Sequence, residues 1–194
     1  MVNIAGRPRQ ESLDRAILDA AVRLLVEHGY GGVRIDAVAT AAGTTRAAVY
    51  RRHGSVAALV TAAYAREFGV DPGVDTGSLA ADLRAIQEHR LALFNHPLIT
   101  RGLPGLIDDL SRQSELADAF WSDFLGPRRA AATEAVRRAV ARGEIEPGVD
   151  KEWISDLLTG PLLMRAVLPG LEPIDDALVR RTVAAALREV GLRD

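Results

Sequence analysis

A chain of 194 residues with 48% apolar side chains is globular, and long enough for one substantial core or for a small domain joined to a larger one. It has no cysteine, which excludes disulfides, thiolate metal sites and a cysteine nucleophile. Its net charge of −2 is unevenly spread: residues 1–66 hold nine arginines and five acids, and residues 67–194 have a net charge of −6, so one end can meet phosphates that the other would repel. No apolar run reaches the roughly 18 residues of a membrane helix. Met1-Val2-Asn3-Ile4-Ala5 lacks the basic region and apolar run of a signal peptide, so a cytoplasmic location is expected.

From Leu13 the apolar residues recur as Leu13, Ala16, Ile17, Ala20, Ala21, Leu24 and Leu25, one buried helical face, with Ser12 as the expected N-cap. His28-Gly29-Tyr30-Gly31-Gly32 ends that helix. A short helix is predicted from Ile35 to Ala42, with Gly43 stopping it. A second follows from Arg46 to Arg52, capped by Thr45, and Ser55 caps a fourth through Phe68. The stretch Asp71-Pro72-Gly73-Val74-Asp75-Thr76-Gly77 reads as a linker. Beyond it, helices are predicted at 78–95, 98–111, 114–142, 150–168 and 175–190. Pro104 and Pro161 fall inside helical patterns and are expected to kink or divide them. No stretch alternates as a strand would. The expected fold is all-α, with a small N-terminal helical domain at 10–68, a flexible basic arm at 1–9 and a second helical domain at 75–194.

The informative segment runs from Val33 to His53. Two short helices meet at a tight turn with Gly43 at the corner, and small Ala39 and Ala42 allow a close approach. Val49 anchors the second helix, leaving Thr44, Thr45, Arg46, Ala47, Tyr50 and Arg51 to face outward. This is a helix-turn-helix whose second helix can lie in the major groove of double-stranded DNA. Its N-terminal amides and threonine hydroxyls suit phosphate oxygens. Thr45, Arg46 and Ala47 are the expected base readers, and Tyr50 and Arg51, with Arg34 and Arg52, the expected phosphate contacts. Arg7 and Arg9, flanking Pro8, either enter the minor groove as a flexible arm or form an unstructured terminus.

Residues 10–60 resemble the TetR family of bacterial repressors through Val38-Ala39, Ala42-Gly43-Thr44-Thr45, Val49-Tyr50-Arg51-Arg52, and Ser55 with Leu59. Three positions depart from the family pattern. Arg34 replaces a capping Thr or Ser, His53 replaces an aromatic that packs under the reading helix, and Val56 replaces a lysine that touches the DNA backbone. The resemblance implies a homodimer on palindromic operator DNA, an effector pocket and a dimer interface in the C-terminal helices, and repression relieved or promoted by the effector. Phe94, Leu98, Leu103, Leu106, Phe120, Trp121, Phe124 and Leu125 concentrate apolar surface where Pro104-Gly105 would open the packing. They either line a cavity for a small hydrophobic effector or form ordinary core. Trp153, Leu157, Leu158, Leu162, Leu178 and Ala185 are the expected dimer contacts, two helices from each copy forming a four-helix bundle.

No catalytic residue, metal site or cofactor is expected. His28, His53, His89 and His96 lack metal-ligand spacing with carboxylates, and no G-x-S-x-G, Walker or G-x-G-x-x-G motif occurs. Two alternatives stand beside the small-molecule-controlled repressor. One is a DNA-binding regulator controlled by a protein partner. The other is a helical interaction module that no longer reads DNA.

Overall fold

A computed structural model describes residues 7–69 and 73–192, with side chains from residue 10 onward. The helices in chain order are α1 (Arg7–His28), α2 (Ile35–Ala41), α3 (Arg46–His53), α4 (Val56–Phe68) and α5 (Leu79–Asn95), then α6 (Pro97–Arg112), α7 (Ser114–Phe120), α8 (Gly126–Ala141), α9 (Lys151–Val167) and α10 (Asp176–Glu189). A 3₁₀ turn at Tyr30–Gly32 follows α1, and a π-helical turn at Trp121–Leu125 links α7 to α8. The described residues contain no strand, as the sequence pattern implied. None of their helices is long and apolar enough to cross a membrane.

Helix boundaries follow their caps. The side chains of Thr45, Ser55, Asp150 and Asp175 each accept a hydrogen bond from the backbone amide three residues on, at 2.8–3.2 Å. The start of α1 differs from expectation. The helix begins at Arg7, so Ser12 lies inside it rather than capping it. Pro8 sits in the first turn, where a missing amide costs nothing. Residues 1–6 of the expected arm lie outside the described residues, as do the side chains of Arg7 and Arg9.

The chain forms two compact units, Met1–Gly69 with Arg101–Asp123, and Val70–Thr100 with Phe124–Asp194. In the first, α1 supplies Ile17, Ala20, Ala21 and Leu25, and α2 supplies Ile35, Val38 and Ala39. Val49 comes from α3, and Leu59, Val60, Ala63 and Tyr64 from α4, all of them buried. The helix-turn-helix unit is therefore not contiguous in sequence, because the stretch after Thr100 joins its core. A Cβ on Gly105 would come within 2.6 Å of the Tyr30 ring, and one on Gly102 would strike the Tyr64 hydroxyl and approach Leu25 to 2.9 Å. The Tyr30 hydroxyl donates to the Asp109 carboxylate. Burial raises the phenol pKa of both tyrosines, and Asp109 raises that of Tyr30 further. The Pro104-Gly105 step thus does not open the packing. It lets an aromatic ring lie directly on a helix backbone.

Neither internal proline divides its helix: α6 is continuous through Pro104 and α9 through Pro161. Each loses one backbone hydrogen bond, and packing of the flanking residues holds the helix on. The proline that leaves a mark is Pro127. Just before it the helical register widens to the π turn, and α8 then resumes.

The core of the second unit joins Leu79, Leu83 and Ile86 of α5 to Ala132, Ala135, Val136 and Ala139 of α8. Ile154 and Leu158 of α9, and Val183, Ala186 and Leu187 of α10, complete it. The alanines bring α8 and α10 close to their neighbours. A polar network runs through this core. Gln87 Nε2 donates to the Leu158 carbonyl (3.0 Å) and to Thr182 Oγ1 (2.7 Å). Arg90 donates to Thr159 Oγ1 (3.1 Å) and to the Arg128 carbonyl (2.8 Å), and the Arg128 guanidinium stacks on the Phe124 ring at 3.9 Å. Burial alone would raise the pKa of Asp82. Hydrogen bonds from Thr76 and Arg138 outweigh that and hold it below the usual carboxylate value.

Candidate nucleic-acid interface

The corner between α2 and α3 is built by backbone hydrogen bonds. The amide of Gly43 donates to Thr40 (3.2 Å) and that of Thr44 to Ala39 (2.9 Å), a paired closure that needs a left-handed residue between them. Gly43 supplies it with φ of 64°. Thr45 then starts α3, its hydroxyl accepting from the Ala48 amide at 3.2 Å.

In α3 the inward residues are Ala48 and Val49, with Val49 fully enclosed. Opposite them, Thr45, Arg46, Ala47, Tyr50 and Arg51 are exposed, while Thr44 and Arg52 are half-buried. Tyr50 keeps 47% of its surface open, unusual for a large aromatic that a core could take. Arg52 donates to the Ala48 carbonyl at 3.1 Å, which ties its head to its own helix and leaves Arg46 and Arg51 as the outward guanidinium groups of α3. Arg34 precedes α2 without a side-chain cap and lies exposed, 3.6 Å from Asp36. The expected DNA-facing residues with described side chains therefore gather around the corner and the start of α3.

His53 ends α3 with its side chain only 9% exposed and its Nε2 3.2 Å from Asp14 Oδ1 of α1, outside hydrogen-bond alignment. It makes a polar contact with α1 from the end of α3. Burial lowers its pKa, Asp14 opposes that, and Arg52 adds to it. Val56, at the first position of α4, is half-buried and offers no phosphate contact. Asp14 escaped the sequence reading because its partner is 39 residues away in the chain.

Two family models match the chain: "Bacterial regulatory proteins, tetR family" over residues 17–63 and "Tetracyclin repressor-like, C-terminal domain" over residues 74–186. The chain belongs to the TetR family of transcriptional regulators. An uncharacterized HTH-type transcriptional regulator of Mycobacterium tuberculosis is 33% identical over 185 residues, covering 92% of this chain and 90% of that one. A DNA-binding transcriptional repressor of Mycobacteroides abscessus is 32% identical over 179 residues, covering 90% and 92%. Among solved structures, the TetR family transcription regulator SCO0332 superposes with a TM-score of 0.71 at 28% identity, covering 92% of this chain and 98% of that one. This TetR-family chain is thus a DNA-binding helix-turn-helix regulator, of a family that is not enzymatic.

The C-terminal expectations fare unevenly. Phe94, Leu98, Leu103, Leu106, Phe120 and Phe124 are buried, Leu125 is half-buried and Trp121 is 52% exposed. Leu103, Leu106, Phe120 and Trp121 belong to the first compact unit, and Phe94, Leu98, Phe124 and Leu125 to the second. A groove of about 530 Å³ in the first unit is lined by other residues, including His53, Ser55, Arg112 and Glu115.

Of the six expected dimer contacts, Leu158 and Leu162 are fully enclosed in their own unit, and Leu178 is buried but borders the groove between α9 and α10. Trp153 (47% exposed), half-buried Leu157 and half-buried Ala185 do face outward. The sequence pattern grouped Trp153, Leu157, Leu158 and Leu162 of α9 together. Helical phase sorts them. Trp153, Leu157, Pro161, Met164 and Leu168 fall on one stripe, and Ile154, Leu158 and Leu162 on the buried one. Between α9 and α10 runs a groove of about 420 Å³ walled by Leu157, Pro161, Arg165, Arg181, Ala185 and Arg188.

Proposed function

We propose that this regulator is a homodimeric repressor that binds a palindromic operator through α3 of each copy and is controlled by a small apolar effector. The observation that carries the reading is α3 itself. A helix capped by Thr45 and anchored by Val49 turns Arg46, Ala47, Tyr50 and Arg51 outward around a glycine corner. Thr45, Arg46 and Ala47 take base edges. Tyr50, Arg51, Arg34 and Thr44 take phosphates, and Arg7 and Arg9, in the first turn of α1, reach the minor groove. Repression is supported by the name that the Mycobacteroides abscessus relative carries. The dimer is supported by the exposed stripe of α9 from Trp153 to Leu168. On this reading residues 10–68 meet DNA and residues 75–194 hold the effector and dimer contacts.

The effector rests on family membership alone, and six of its eight expected lining residues are buried. That burial favours a second reading, control by a protein partner instead of a small molecule. A gel shift of the full chain on its gene's upstream DNA, at several salt concentrations, tests the first half. Binding that weakens steeply with salt supports it, and no binding at low salt overturns it. A thermal-shift screen of apolar ligands on the same protein separates the two modes of control.

A further inference from the structure

The contact between His53 and Asp14 is not needed to expose the reading residues, yet it sits where the reading helix is held. His53 is the last residue of α3, one turn beyond Tyr50 and Arg51. Its ring is almost wholly enclosed, and its Nε2 faces Asp14 of α1 at 3.2 Å. His53 also lines the groove of about 530 Å³ shared with Gly54, Ser55, Arg112 and Glu115.

We propose that His53 and Asp14 form a proton-sensitive seat for the reading helix, so that acidification loosens the end of α3 and weakens DNA binding. The inference rests on the DNA-binding reading above. With a neutral ring, the end of α3 packs as an aromatic would. With a charged ring, the same position holds an enclosed imidazolium, which must be solvated or paired. The groups that face it divide. Asp14 on α1 and the C-terminal end of the α3 dipole favour the charge. Arg52 on its own helix opposes it, and Arg112 and Glu115 across the groove oppose each other. Burial exceeds the help from Asp14, leaving the ring easier to keep neutral than an ordinary histidine. The sign follows. The unfolded chain takes up the proton first as pH falls past about 6.5, so stability in the first unit is full above that value and is lost below it.

The test uses the full chain and its His53→Phe and Asp14→Asn variants. Its probe is a duplex selected by the wild-type protein from a random-sequence pool at pH 7.5. Between pH 7.5 and 5.5 at fixed salt, wild-type affinity is expected to fall about threefold or more relative to His53→Phe. The Asp14→Asn variant is expected to fall further, having lost the carboxylate 3.2 Å from the ring that favours the charge. The His53 ring signal in a proton NMR titration is expected to have its midpoint below the ordinary histidine range. An identical acid response in all three proteins overturns the proposal, as does an Asp14→Asn response equal to that of the wild type. Should wild-type protein select no duplex, the DNA-binding reading fails, and the NMR midpoint with the acid dependence of thermal unfolding still judges the seat.

Discussion

Two helices of this regulator leave one face uncovered, and they leave it uncovered differently. In α3 the open face carries guanidinium groups, hydroxyls and one phenol around a single small alanine. In α9 it carries an indole, a thioether, leucines and a proline. A surface of guanidinium and hydroxyl donors is matched by a polyanion. A surface of carbon gains little from DNA and much from another carbon surface. The contrast separates what each helix is for more sharply than either helix alone, since a short basic helix or an exposed tryptophan is common by itself.

The widest gap is expected from charge placed on the α9 stripe. On the proposed dimer, Trp153→Glu with Leu157→Glu is expected to give a monomer in light scattering, and operator affinity to fall about a hundredfold or more, each reading helix then binding without its tethered twin. The neighbouring residue sharpens the comparison. Leu158→Ala, one position along but on the buried arc, is expected to cost about 2–5 kcal/mol in urea unfolding while leaving the folded protein dimeric. If Leu158→Ala alters the subunit stoichiometry and the Leu157 change does not, the phase assigned to α9 is wrong.

Smaller effects belong to α3. Arg46→Ala is expected to relax preference at one base pair by about 1–3 kcal/mol, read by competition between duplexes differing at that pair. An equal loss on every duplex would assign Arg46 to phosphate instead. Thr45→Ala removes the cap and is expected to cost about 1 kcal/mol of stability in the first unit, with near-normal DNA preference if that threonine only caps.

Much of the architecture was legible because it is written locally. Gly43, Thr45 and Ser55 each act on residues within a few positions, so the corner and both helix starts followed from the chain itself. The outer bounds of the helical segments from Leu79 to Glu189 were placed within a residue or two for the same reason, but the π turn inside the expected helix 114–142 was not foreseen. What escaped depends on distant partners. Gly105 read as a breaker because nothing nearby reveals that Tyr30 lies on it. Ser12 read as a cap because a start at Arg7, with Pro8 tolerated in the first turn, gives no apolar signal. Leu158 and Leu162 read as interface because apolar character alone does not say which side of a helix a core will take.

The central claim is that two copies of α3 read one duplex together. Hydroxyl-radical footprinting of the wild-type protein on its selected duplex addresses it most directly, with the Arg46→Ala and Arg51→Ala double variant run alongside. Two protected patches are expected on one side of the helix, about 34–36 Å apart, and both should fade in the variant. A single patch, or protection unchanged by the double substitution, would contradict it.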